Sequence, residues 1–272
     1  MWNRTPKLWV SVLLGGKEKT REARGLNIHK LSMQAEFQFA NAVEQIALDV
    51  PRCGARQEDY KALSRILSTW TLLNRGVGYY QGLNLLASAL FSTLRESSPS
   101  PENDTLAALG TICRVHASLV PMHAQDHAPL ENARTFSHNI VREVVSANVN
   151  LALPMSLLVL NLQVFALRVL PVCFATFFNE AETLQTFWGY MFETETNAVV
   201  DRAIARAAAR SRHIVSALIL QNTKLWTLGR DEQQSFCIFE SVVSLLSPPQ
   251  AHNVVRAAAH LEKLELLGGA AR

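Results

Sequence analysis

The sequence predicts an all-α protein with no significant sheet, built from two helical halves. Apolar residues recur at intervals of three and four along most of the chain, which is the period of one face of a helix. No stretch alternates apolar and polar residues for long enough to form a half-buried strand. Apolar residues make up 49% of the 272 positions and charged residues 18%, so the chain has material for a large core and is not disordered.

The apolar stripes predict the helices in order along the chain. Residues 33–48 carry one stripe, with Ser32 placed to cap its start, and residues 57–74 and 83–94 carry the next two. Residues 203–212 are rich in Ala and Arg, which favours a helix with a solvated charged face. Three further stripes contain Leu106, Leu109 and Ile112; Phe136, Ile140 and Val144; and Phe236, Phe239, Val242, Val243 and Leu246, the last group preceding Pro248 and Pro249, which end it.

The polar segment 95–104, rich in Ser and Pro, separates the two halves, about 1–95 and about 104–268. It is either a domain boundary or a surface loop between helices. We treat residues 1–272 as a single domain with two helical halves, since no internal repeat is visible.

Charge and cysteine usage exclude several classes of protein. The net charge of +3 is too small to predict nucleic-acid binding. The cysteines lie too far apart for a zinc motif or a redox dithiol, and the N-terminus lacks the apolar core of a signal peptide. We therefore expect an intracellular protein with reduced thiols.

Residues 149–167 carry no charge and approach the length of a membrane span. A spanning helix would leave Asn161, Gln163 and the carbonyl freed by Pro154 in lipid. We expect instead a helix that is buried on most sides in a helical domain, and no transmembrane segment.

Other candidate sites are poorly supported. Residues 15–17, Gly-Gly-Lys, lack the spacing of a phosphate-binding loop. His123 and His127 could share a metal on a helix, with Asp126 beside them, but Pro121 and Pro129 bracket them and favour surface histidines. No Gly-x-Ser-x-Gly elbow is present, so we expect no hydrolase chemistry on the chain's own residues.

Two segments carry polar groups with a chemical use. Asp49 and Arg52 follow an amphipathic helix, with Pro51 between them. They form either an ordinary surface ion pair or a braced guanidinium that can bind a phosphate bidentately. Residues 76–84, GVGYYQGLN, form either a plain inter-helix loop or a loop that offers Gln81 at a helix start to position water or a carbonyl.

These segments resemble the TBC domain of Rab GTPase-activating proteins. The family signatures are Ile-x-x-Asp-x-x-Arg and Tyr-x-Gln. This chain has Ile46, Asp49 and Arg52 at the positions of the first, and Tyr79 and Gln81 at those of the second.

The resemblance extends beyond the two signatures. Gly82 and Asn84 complete a segment close to the family's usual Gly-Met-Asn, and residues 4–9 are similar to its opening Arg/Trp segment. Two positions depart from the pattern: Gly189 follows Trp188 where Asp is common, and Cys53 replaces the usual Thr.

The resemblance implies a GTPase-activating protein that acts on a Rab-family GTPase in the GTP state during vesicle trafficking. Arg52 would be the arginine finger and Gln81 would orient the attacking water. Asp49 would hold Arg52, and Tyr79 would orient the loop of Gln81. The chain itself would be an enzyme regulator without a cofactor of its own, because GTP and Mg²⁺ belong to the partner.

The resemblance also implies where the protein works. It would be cytoplasmic or peripheral on endomembranes, and its membrane contact would be indirect, through the lipidated GTPase. The alternative function is a catalytically silent TBC-like module that binds a Rab or another trafficking protein as a scaffold.

Overall fold

A computed structural model describes Leu14 and residues 21–119, 128–170, 173–175, 177–178, 180–192, 200–226 and 231–269. These parts of the chain are mostly helical and contain no strand, which confirms the predicted all-α class. The helices are α1 (Ile28–Gln38), α2 (Ala40–Asp49), α3 (Tyr60–Leu73), α4 (Leu83–Leu94), α5 (Pro101–Leu119), α6 (Ala128–Ala147), α7 (Ala152–Leu157), α8 (Val159–Val169), α9 (Ala181–Phe192), α10 (Val200–Gln221), α11 (Thr223–Trp226), α12 (Glu232–Ser244) and α13 (Pro248–Gly269).

The chain forms two compact units. The first contains the described residues up to Ala117 together with 173–175, and the second contains most of the remainder. In the first unit α3 contacts α1, α2 and α4. Its apolar stripe is almost completely buried, apart from Leu73 at the helix end, which is 48% exposed; the buried members are Leu63, Ile66, Leu67 and Trp70.

The predicted helix over 33–48 is in fact two helices. The break falls at Phe39, whose backbone is not helical (φ −134°, ψ 45°). Ser32 lies inside α1 and is buried, so its assignment as an N-cap is wrong. The cap is Asn27, whose side chain accepts a hydrogen bond from the Lys30 N–H and satisfies a donor that the first turn would leave free.

The segment 95–104 lies within the first unit, where residues 95–100 connect α4 to α5 and residues 101–104 form the first turn of α5. The Arg95 guanidinium pairs with Asp59 at 2.9 Å and with Glu58 at 2.7 Å. Asp104 is buried and accepts hydrogen bonds from Arg24 and from the Ser98 hydroxyl. These side chains tie the connection and the start of α5 to the 3₁₀ turn Gln57–Asp59 and to Arg24.

The second unit is built around α10, which contacts α6, α9 and α13. A second apolar region contains edge-to-face ring pairs, with Phe165 against Phe177 at 5.0 Å and against Phe236 at 6.1 Å between ring centroids. Pro248 and Pro249 follow the end of α12 as expected, and they also begin α13, where a missing N–H costs little.

The interpretation of residues 203–212 as a solvated face is wrong for two arginines. Arg210 and Arg212 are only 12% and 17% exposed in their side chains. Arg210 pairs with Glu262 of α13, and Arg212 lies 3.5 Å from Glu143 of α6. The run of positive charge is therefore used to join three helices.

The uncharged segment 149–167 is not one helix. It forms a short 3₁₀ turn, α7 and α8, and the two apolar stretches Val149–Leu157 and Val159–Val169 meet at 73°. Among the described residues no single helix has the length and hydropathy to cross a membrane, and this bent pair satisfies both only when its parts are joined. The expectation of burial on most sides is wrong for part of each helix, since Leu153 of α7 is 71% and Leu160 of α8 is 68% exposed.

Candidate functional site

Arg52 stands at the end of α2, where the helix continues into the 3₁₀ turn Val50–Arg52. Pro51 suits this turn because its ring fixes φ near the helical value. After the turn, the Cys53 N–H donates to the carbonyl of Val50, and Gly54, with φ of 71°, turns the chain. The Arg52 side chain is left 72% exposed.

The Asp49 carboxylate is buried directly beneath this turn. Its Oδ2 accepts a hydrogen bond of 2.9 Å from the Tyr79 hydroxyl. Its Oδ1 lies 3.9 Å from Nη1 of Arg52, which is a loose ion pair that contributes little energy at an exposed guanidinium. The Asp49 carboxylate is therefore held by the Tyr79 hydroxyl and only loosely paired with Arg52. The Arg52 guanidinium remains available to an outside ligand.

Gln81 lies in the loop between α3 and α4 and is exposed. Two glycines shape this loop with left-handed backbone angles, Gly78 at φ 67° and Gly82 at φ 102°. The buried Trp70 indole N–H donates to the Gly78 carbonyl at 3.1 Å, and the Gly78 N–H donates to the carbonyl of Asn74 at 2.7 Å. The loop is thus held by the Trp70 indole and by a backbone bond to Asn74.

Asn84 connects the two segments through one buried amide. Its Nδ2 donates to the backbone carbonyl of Asp49 at 3.0 Å, and its Oδ1 accepts from the Gly82 N–H at 3.2 Å. The end of α2 and the start of α4 are consequently bonded to each other although they are far apart in sequence. Arg52 and Gln81 are carried by the two segments that this amide joins.

Burial raises the pKa of the Tyr79 hydroxyl well above its usual value, and the hydrogen bond to Asp49 raises it further. Tyr79 therefore stays protonated and acts as a permanent donor to the carboxylate. Ile46 is fully buried in α2, so it supports this arrangement from within the core.

The structure thus brings together the segments that carry the seven candidate residues. Arg52 and Gln81 are exposed, whereas the residues that support them are buried or half-buried: Ile46, Asp49, Tyr79, Gly82 and Asn84. Sequence reasoning missed the anchoring role of Trp70. Its signal was a Trp in a buried stripe, which needs a partner for its N–H.

The structure does not test the weaker candidates. Residues 15–17, His123, Asp126 and His127 lie outside the described residues. In the part of the chain that the structure does describe, no group of three or more His, Cys, Asp or Glu could hold a metal ion.

Comparison with known families settles the relationship of this chain. The model of the Rab-GTPase-TBC domain matches residues 6–214, which include both signature segments. The chain belongs to the Rab-GTPase-TBC domain family. Comparison with curated protein sequences finds no match.

The fold is also that of a solved structure. The crystal structure of the Ypt/Rab-GAP domain of Gyp1p matches 97% of this chain and 91% of its own, with a TM-score of 0.71. The sequence identity is 15%, so this likeness concerns the fold.

Proposed function

We propose that this TBC domain is a GTPase-activating protein for a Rab-family GTPase in the GTP state, and that it supplies Arg52 and Gln81 to the partner's active site. The supporting observation is the buried network of Asp49, Tyr79 and Asn84, which joins two segments that each present an exposed polar side chain. Family membership and the Ypt/Rab-GAP title of the structural neighbour favour a Rab as the partner.

Arg52 would stabilise the transition state for phosphoryl transfer. Negative charge on the transferring group is neutralised best by a planar guanidinium that can bond two oxygens at once. Arg52 is suited to this role because it is exposed and its only described carboxylate neighbour, Asp49, lies 3.9 Å away. Little has to be broken before the guanidinium reaches a phosphate.

Gln81 would orient the attacking water with its amide. This group must be held in place before the reaction, because a preorganised donor costs no rearrangement in the transition state. The backbone of its loop is preorganised by the bonds of Gly78 and Gly82.

The remaining components would come from the partner. GTP and Mg²⁺ would be bound by the GTPase, so the chain would need no cofactor of its own. It would work in the cytoplasm or peripherally on endomembranes, with membrane contact made indirectly through the lipidated GTPase.

The test is single-turnover GTP hydrolysis by a panel of Rab GTPases, with the wild-type chain and with Arg52→Ala. We expect Arg52→Ala to lose on the order of 10³–10⁵ in rate. Arg52→Lys should lose nearly as much, since the ammonium cannot reproduce the planar fork.

Arg56→Ala is a matched control. The Arg56 side chain is 71% exposed and lies 3.7 Å from its carboxylate neighbour Glu58, so it closely resembles Arg52 in exposure and pairing. It should keep the wild-type rate. If Arg52→Ala retained more than about a tenth of the activity, the arginine finger would be misassigned. A wild-type chain that binds GTP-loaded Rabs without accelerating any would favour the scaffold alternative.

A further inference from the structure

Three large apolar side chains are exposed on α1, at the end of α2 and in the loop of Gln81. Phe37 is 92% exposed, Leu48 58% and Val77 41%. We call these three residues the apolar rim. Leu48 precedes Arg52 by four residues on the same helical end, and Val77 precedes Gln81 by four residues in the same loop.

Phe37 joins this group through contacts between α1 and the loop of Gln81. Arg75 donates from Nη2 to Oε1 of Gln38 at 2.9 Å, and its guanidinium lies 5.7 Å from the ring centroid of Phe39. Both contacts fasten the end of α1 to the segment that continues into Val77. The position of Phe37 is therefore coupled to that of the glutamine loop.

Phe37 does not belong to the face of α1 that packs against the rest of the protein. The buried face of this helix consists of Ile28, Ser32 and Ala35. Met33, four residues before Phe37, is 58% exposed and lies on the same face of the helix. A single exposed apolar residue needs no explanation, but a group of them beside a candidate site indicates an interaction surface.

We propose that the apolar rim is a docking surface for the GTP-loaded GTPase, and that it contacts apolar side chains on the partner's face around the bound nucleotide. This inference rests on the proposed function, because it takes the partner from there. The reach of an arginine side chain is small compared with the width of a protein interface. A partner whose phosphates contact Arg52 must therefore cover the surface next to it.

The size of a specific protein interface also favours the GTPase as the partner that covers the apolar rim. A stable complex buries about 800 Å² on each partner, far more than two polar side chains can supply. The centre of such an interface is enriched in aromatic and apolar residues and contributes most of the binding energy. Phe37 is the most exposed large apolar residue among those described, so it has the most surface to bury.

The rim should act on affinity and not on chemistry. Phe37, Leu48 and Val77 have no group that could stabilise charge or move a proton. Their contribution is the same in the ground state and in the transition state, and uniform binding changes KM while kcat is unaffected.

The experiment measures GTP hydrolysis against GTPase concentration for the wild-type chain, Phe37→Ala and Phe37→Leu. We expect Phe37→Ala to raise KM by about tenfold or more, with kcat within about twofold of wild type. Phe37→Leu should recover part of the affinity. Leu160→Ala is the matched control, since Leu160 is 68% exposed and lies in the second unit, and it should leave both constants unchanged.

The outcomes separate this inference from the function on which it rests. If the wild-type chain accelerates no GTPase, the proposed function itself is refuted. If it is active and Phe37→Ala keeps the wild-type KM, the rim is not a docking surface. A loss of kcat at unchanged KM would also overturn the inference. Leu48→Ala tests the same surface independently, should Phe37→Ala lower the unfolding temperature.

Discussion

The Asp49 carboxylate accepts a hydrogen bond from the Tyr79 hydroxyl, and the Asp49 backbone carbonyl accepts one from the Asn84 side-chain amide. These bonds are the close contacts of Asp49, whereas its carboxylate and the Arg52 guanidinium are 3.9 Å apart. The carboxylate orders the glutamine loop, and the position of Arg52 follows from the turn. Asp49 is therefore better described as a support for both segments than as a partner of Arg52 alone.

Tyr79→Phe should separate these roles. The substitution leaves a buried carboxylate oxygen without its donor, which costs about 1–3 kcal/mol in the free energy of unfolding. GTPase activation should fall as well, because the loop of Gln81 loses its tie to α2. Urea unfolding and single-turnover hydrolysis measure the two effects.

The matched substitution is Tyr60→Phe. The Tyr60 hydroxyl donates to the Pro51 carbonyl at 3.4 Å in an exposed position, so its loss should change stability by less than about 0.5 kcal/mol. Equal stability of Tyr79→Phe and the wild-type chain would show that Asp49 does not depend on Tyr79.

Among the helices, the clearest interaction that local sequence could not reveal joins α6, α10 and α13. Glu143 of α6 accepts hydrogen bonds from His213 and Ser216 of α10. The buried His213 ring places its other nitrogen 3.2 Å from Glu265 of α13, though not aligned for a hydrogen bond. Burial disfavours the charged form of Glu143, but the bonds from His213 and Ser216 outweigh it and lower the pKa of Glu143.

This pKa predicts how stability depends on pH. A carboxylate whose pKa is lower in the folded state stabilises the fold above its unfolded pKa, near 4.5, and loses that contribution as the pH falls through the folded value. Glu143→Gln should therefore lower stability at pH 7 by about 1–3 kcal/mol and by progressively less in acid.

Denaturant unfolding of wild type and variant from pH 7 to pH 3 tests this expectation. Glu265→Gln is the comparison, because Glu265 contacts the same cluster but is 55% exposed, and it should cost at most about 1 kcal/mol. A stability difference for Glu143→Gln that stays constant over this range would contradict the assignment.

The success of the sequence analysis depended on whether the signal was local. The helix over 83–94 is found where it was predicted because its stripe and the glycine that precedes it lie close in sequence. The break at Phe39 was missed, since no Gly or Pro marks it in residues 33–48, and the Arg75 guanidinium that contacts the Phe39 ring is distant in sequence. Likewise, motif spacing identified Arg52 and Gln81, but the bond from Tyr79 to Asp49 spans thirty positions and required the fold.

Both candidate fingers lie on one unit. Arg52 and Gln81 belong to the first of the two compact units, whereas the family match continues to residue 214, within α10 of the second. Asp49 and Asn84 join the segments that carry Arg52 and Gln81, so the hydrogen bonds that order these segments are made within the first unit. The two groups would then enter the GTPase together, supplying charge and water orientation in one step.

Gln81 should make the partner's own catalytic Gln partly dispensable. A GTPase whose switch Gln is changed to Leu should remain a substrate of the wild-type chain, at a reduced rate if that Gln also contacts the interface. Gln81→Ala should lose at least about 10²-fold in rate on either form of the GTPase, because one preorganised group is removed. Binding of the GTP-loaded partner should survive, since Gln81 is exposed and its loop is held by the Trp70 indole, which the substitution leaves in place.

The measurement compares hydrolysis rates for the four combinations of wild-type and variant chain with wild-type and variant GTPase. Gln233→Ala, at an exposed glutamine of the second unit, serves as the control and should match the wild-type chain. If the water is oriented by Gln81, the rate depends strongly on this residue and weakly on the Gln of the GTPase. The reverse dependence, with full activity of Gln81→Ala on the wild-type GTPase, would assign the water to the partner and leave Arg52 as the sole finger.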